Sequence, residues 1–117
     1  MNLDSFALQL LAYVFPWYQA RLVEQVGGEV ARECRRTLWQ QISRRIRGMS
    51  VAEVRGYARA QAVAIVAPEV DEALVRRRLN PALRNAVLEA SIDQLVALAV
   101  RDVLSEAPAP ATRSMAA

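Results

Sequence analysis

The chain has no histidine, and its 117 residues include one cysteine, four glycines and five prolines. Each shortage removes a class of function. Without histidine there is no His general base, no Ser-His-Asp triad, no Cys-His pair, no His-ligated zinc and no Glu-x-x-His di-iron motif. The single Cys34 cannot close an intrachain disulfide, which excludes a disulfide-stapled secreted scaffold and makes a reducing, cytoplasmic setting the expectation. The acids are scattered along the chain and form no metal or glycosidase pattern. No catalytic residue, metal or cofactor is therefore assigned, and a binding protein is the expectation over an enzyme.

Long apolar runs are also lacking. The stretch from Phe6 to Phe15 is too short to span a bilayer, and Asp4 stands where a signal peptide would carry a basic residue. No membrane span is expected. Lysine is absent too: all fifteen basic residues are Arg, against twelve acids, for a net charge of +3. The Ala- and Val-rich composition makes a GC-rich coding bias the simplest reason for that choice. The excess of positive charge is local, since residues 28–49 hold six Arg and only two Glu.

What is present is enough for a core. The hydrophobic fraction is 54%, too high for a disordered chain, and a domain of this length buries roughly two thirds of the surface its unfolded form exposes. No alternating run suggests a strand. The sparse punctuation, Pro16, Gly27-Gly28, Gly48, Pro68 and Asn80-Pro81, sits where helix ends would fall. The expected fold is all-α, a compact bundle of four to six helices forming a single domain over 1–106, followed by a disordered tail over 107–117 in which Pro and Ala alternate.

Local signals fill in that outline. Asp4 is a plausible N-cap of the first helix, with a kink or restart expected at Pro16 and a stop at Gly27. Val30, Cys34, Leu38, Ile42 and Ile46 then form a stripe on one face of a second helix. Ser50-x-x-Glu53 is a capping box that opens a third. In that helix Val51, Val54, Ala58, Ala62 and Ile65 line one face, while Ala52, Gly56, Ala60 and Ala64 line a second, small one. The two faces predict a central helix closely packed on both sides, with Ala60→Leu overpacking it. A short fourth helix runs from Pro68 to about Leu79, acids first and Arg76, Arg77 and Arg78 last. A fifth, opened by Asn80 and Pro81, is the longest expected, and its apolar Leu95–Val100 segment must be sandwiched between neighbours.

Three groups of residues are candidates for binding. Leu8, Leu11, Phe15, Trp17 and Tyr18 gather most of the aromatic side chains near the N-terminus and suit either the core or an interface with a protein partner or a second copy. Arg32, Arg35, Arg36, Arg44 and Arg47, with Arg45 beside them, match nucleic-acid phosphates, although Glu29 and Glu33 stand three residues before Arg32 and Arg36 and would pair with them on a solvated face. Arg55, Tyr57 and Arg59 lie on an otherwise small, apolar helix and would suit an anionic ligand or substrate, unless Glu89 and Asp93 neutralise the arginines. Cys34, in the apolar stripe, reads as a small core residue. The leading expectation is a protein interaction module that self-associates or docks a partner helix through surplus apolar helix faces.

Overall fold

The computed structural model describes residues 3–106, with side chains from Phe15 onward; the predicted tail, 107–117, lies outside the described residues. Three long helices and one short 3-10 turn account for almost all of it: α1 (Leu3–Ile42), α2 (Val51–Arg76), the turn Pro81–Leu83 and α3 (Arg84–Glu106). No strand occurs among the described residues. The all-α expectation holds. The expected count of four to six helices does not, because three of the predicted breaks are not breaks.

Gly27 and Gly28 lie inside α1, which runs on for 40 residues. Both are buried, and a Cβ on Gly27 would lie 2.7 Å from the Cβ of Ala90 on α3. The bare backbone here lets two helices approach closely, and that packing outweighs the roughly 1 kcal/mol each glycine costs a helix. Pro16 is also inside α1 and Pro68 inside α2. Both are exposed, so the carbonyl that each proline leaves without an N–H partner can be met by solvent. The predicted first and second helices are thus one element, as are the third and fourth. The longest helix is α1, not the fifth predicted segment, which opens as the 3-10 turn and continues as the 23 residues of α3.

The true breaks are well marked. Ser50 accepts from the Glu53 amide at 3.2 Å while its own amide donates to Glu53 Oε1 at 3.1 Å, the reciprocal capping box. Asn80 Oδ1 accepts from the Ala82 amide at 2.9 Å, with Pro81 in the first turn. The C-terminus of α2 closes with Leu79 N donating to Leu74 O and Arg78 N to Val75 O, a Schellman arrangement in which Arg78 takes the left-handed conformation at φ 54°.

The helices pack up, down and up. Gly27 meets Ala90 and Arg35 meets Asp102, so α1 and α3 run parallel; Arg59 meets Asp93 and Arg77 meets Glu29, so α2 runs against both. The core is narrow and built largely of Val and Ala. Val30, Cys34, Leu38 and Ile42 face it, as their spacing implies. Ile46 is buried too, but from the connection, since α1 ends at Ile42 and does not carry the predicted stripe to its last member. Val54, Ala58, Ala62, Val66 and Val70 from α2 and Val87, Leu95 and Ala99 from α3 complete it. Trp39 and Tyr57 pack on its edge. Ser91 is fully buried in α3 and satisfies its hydroxyl on Val87 O at 2.7 Å.

The second, small face of the predicted third helix is not packed. Ala52, Gly56, Ala60 and Ala64 are all exposed, and a Cβ on Gly56 would meet nothing within 4 Å. Overpacking by Ala60→Leu is therefore not expected. The helix enclosed by neighbours is α3, where Leu95, Val96 and Ala99 are buried and Leu98 and Val100 half-buried.

A compact bundle thus begins near Leu22 and Val23, the first of the described side chains of α1 that pack on the core. Before them α1 continues as an arm. At 1.5 Å per residue the whole helix measures roughly 60 Å, and the radius of gyration is 19.2 Å where a spherical chain of this length has about 13 Å.

Candidate functional site

From Phe15 to Arg21 every residue but the half-buried Gln19 is exposed. Phe15, Trp17 and Tyr18 show 51%, 61% and 57% of their surfaces to solvent, which places all three outside the core. Arg21 lies over the Trp17 ring, 5.0 Å from its centroid. Leu8 and Leu11 belong to the same unbroken helix, but their side chains lie outside the described residues. Once α1 is known to be continuous, a pattern emerges in the sequence: Leu8, Leu11, Phe15, Tyr18 and Leu22 recur at intervals of three and four, the spacing of a coiled-coil seam. Trp17 stands beside that seam. The stretch from Ser5 to Ala20 contains no charged residue, so the arm lacks the charged face that surface helices usually carry.

The arginines of α1 divide into two kinds. Arg35 donates from Nε to Asp102 Oδ2 at 3.0 Å and from Nη2 to Asp102 Oδ1, a two-point pairing that joins α1 to α3. That pairing, and the nearby carboxylate charge, raises the Arg35 pKa above its ordinary value. Arg32 and Arg36, one turn apart, are exposed and have no ion-pair partner among the described residues. The local pairs expected from sequence are absent among the described residues: Glu29 pairs instead with Arg77, which caps the C-terminus of α2, at 2.5 Å, and Glu33 forms no ion pair. Arg32 and Arg36 flank a cleft of about 450 Å³ between α1 and α3, which Trp39, Asp102, Ser105 and Glu106 also line. Arg44, Arg45 and Arg47 are exposed in the connection to α2, at the same end of the bundle.

The third group is not assembled as a unit. Arg59 donates to Asp93 Oδ1 at 2.8 Å and to Glu89 Oε2 at 3.1 Å, and these carboxylates raise its pKa. Arg55 is exposed and shares an open cleft of about 590 Å³ with Arg59 and its partner Asp93, beside Gly56, Val96 and Val100. Tyr57 packs on the core and does not line that cleft. Its position two residues from each arginine, about 200° around a helix, explains the separation.

Cys34 is buried, and its thiol is pushed up to about 11, first by burial and then by the charges of Glu69 and Glu33. A buried thiol held protonated at neutral pH fits the small core residue that its place in the apolar stripe implies. No cluster of three or more potential metal ligands occurs among the described residues, and no described helix is long and apolar enough to cross a membrane. The Arg–Asp bridge and the unpaired Arg32–Arg36 turn could not be separated in sequence, because Asp102 is 67 residues from Arg35 and only the parallel packing of α1 and α3 unites them. No protein-family model, curated protein or solved structure matches the chain.

Proposed function

We propose that the protein is an interaction module that pairs with a second copy of itself through the N-terminal arm of α1. The observation that carries this reading is the exposure of Phe15, Trp17 and Tyr18 on a helix that leaves the bundle. Helices in proteins draw most of their stability from packing one face against a neighbour, and an arm without charges gains nothing from ion pairs along its surface. A partner helix supplies the missing burial. A second copy fits because the seam Leu8, Leu11, Phe15 and Tyr18, which ends where Leu22 turns into the bundle's own core, is uncharged and presents the same three-four spacing to itself, the condition for a twofold, self-complementary contact.

The area is of the right order. Phe15, Trp17 and Tyr18 each leave roughly 100 Å² available, half of what such rings bury, so six of them from two copies supply about 600 Å². That is about half of a small stable interface of ~1,200 Å²; the seam leucines and the small residues between them supply the remainder. The setting proposed is the cytoplasm.

Sedimentation equilibrium at micromolar concentration tests the reading. A reversible dimer is expected, and Phe15→Glu with Tyr18→Glu should return it to monomer without loss of helical circular dichroism from the bundle. A wild-type monomer up to high micromolar concentration refutes it.

A further inference from the structure

We infer that the cleft between α1 and α3 is a second binding site, for single-stranded nucleic acid, with Arg32 and Arg36 on the phosphates and Trp39 beneath a base. This site is separate from the arm and does not depend on its pairing.

Three observations on different residues converge there. First, Arg32 and Arg36 are like charges one turn apart on the same helix face, a placement that destabilises a helix, and neither has an ion-pair partner among the described residues. A planar guanidinium offers paired donors that match phosphate oxygens, so an anionic ligand supplies the missing counter-charge. Second, Trp39 is half-buried on the core and lines the same cleft, leaving part of an anchored aromatic ring accessible. Stacking on such a ring is indifferent to base identity. Third, Arg44, Arg45 and Arg47 follow within eight residues of Trp39 and are all exposed, which adds more positive charge to this end of the chain segment than one small anion needs.

The Arg35–Asp102 pair gives the cleft a fixed wall. It ties α1 to α3 beside Arg32 and Arg36 and leaves Asp102 neutralised, so Glu106 at the rim is the one lining acid without an ion pair among the described residues. Access to a base distinguishes single strands from duplex. In a duplex the base faces are stacked away, and the Trp39 ring at the cleft wall reaches a base only when it is splayed from its neighbours.

The test is fluorescence anisotropy of a labelled oligothymidylate of about twelve nucleotides, within the site sizes known for small single-strand binders. Micromolar binding at low salt is expected, with log affinity falling linearly against log salt. Arg32→Gln and Arg36→Gln should each flatten that slope by roughly 0.7, the loss of one phosphate contact on a single strand. Trp39→Leu should weaken binding roughly 5- to 150-fold, the range for one stacked base, whereas Trp39→Phe retains most of it. Circular dichroism of each variant verifies the fold, and the surface variants Arg32→Gln and Arg36→Gln carry the test if Trp39→Leu does not fold. Absence of binding at low salt overturns the inference. So do equal affinity for a duplex of the same length, equal displacement by polyglutamate or inorganic polyphosphate, and salt slopes unchanged in both arginine variants.

Discussion

Gly27 of α1 rests directly on Ala90 of α3: a Cβ at Gly27 would lie 2.7 Å from the alanine Cβ and 3.1 Å from both Ala90 C and Ser91 N. Two of those three atoms are backbone and cannot step aside, so Gly27→Ala must push the helices apart. A loss of about 1 to 3 kcal/mol is expected from overpacking, despite the better helix propensity of alanine. Gly56, with nothing within 4 Å of its missing Cβ, is the internal control. Gly56→Ala should stabilise by up to about 1 kcal/mol. Urea titration of the two variants should move the midpoint in opposite directions.

A second backbone position gives a prediction of the same kind with the sign reversed. Arg78 occupies the left-handed site of the Schellman turn at φ 54° and forms no ion pair among the described residues. A non-glycine residue there costs about 1 to 2 kcal/mol, and glycine gives back part of that gain through its freer unfolded chain. Arg78→Gly should therefore raise stability by about 0.5 to 1 kcal/mol with an unchanged denaturant slope. A fall in stability would show that the Arg78 side chain contributes more than its strained backbone costs.

Acid should loosen the ends of α2. The Glu53 carboxylate lies below its ordinary 4.5 because the Ser50 amide and then the Ser50 hydroxyl hold the charged form, and Asp71 lies below 3.8 through its hydrogen bond from Arg84. For both acids the folded value is the lower one, so their stabilisation is complete above about pH 4.5 and is lost as pH falls through the folded values. Thermal melts should be flat in this respect from pH 7 to 5 and decline towards pH 3. Glu53→Gln, which keeps the cap neutral, should shrink the decline; an identical decline in the variant would assign it to other groups.

The sequence carries the local features of this fold and hides the long-range ones. The Ser50–Glu53 box and the Asn80–Pro81 start could be read directly because each is decided within one helical turn, and the Val30-to-Ile42 stripe because its four-residue spacing repeats along a single helix. Gly27-Gly28 could not, since a glycine pair that ends a helix and one that admits a neighbouring helix look alike until Ala90 is placed against it. The small face over Ala52, Gly56, Ala60 and Ala64 misleads for the converse reason: its residues permit close packing, but no helix among the described residues occupies it. Of the candidate sites, the aromatic arm could be noticed from composition, but its exposure follows only from α1 running on through Pro16. The cleft beside Arg32 and Arg36 depends on which arginine Asp102 selects, and helical periodicity in one segment contains no information about that partner.

If the arm pairs with a second copy, it should contribute to stability only through association. The core starts at Leu22, Val23 and Val26, and the described residues before them add no buried side chain to it. Removing residues 1–20 should thus leave a folded bundle whose melting temperature no longer depends on protein concentration, while the full chain melts higher as concentration rises because mass action favours the dimer. At concentrations well below the dimer constant the two should melt within a few degrees of each other. Differential scanning fluorimetry across a hundredfold range of concentration separates these outcomes. A full chain whose melting temperature is independent of concentration would remove the linkage, and a truncated chain that fails to fold would place the arm within the folding unit instead of outside it.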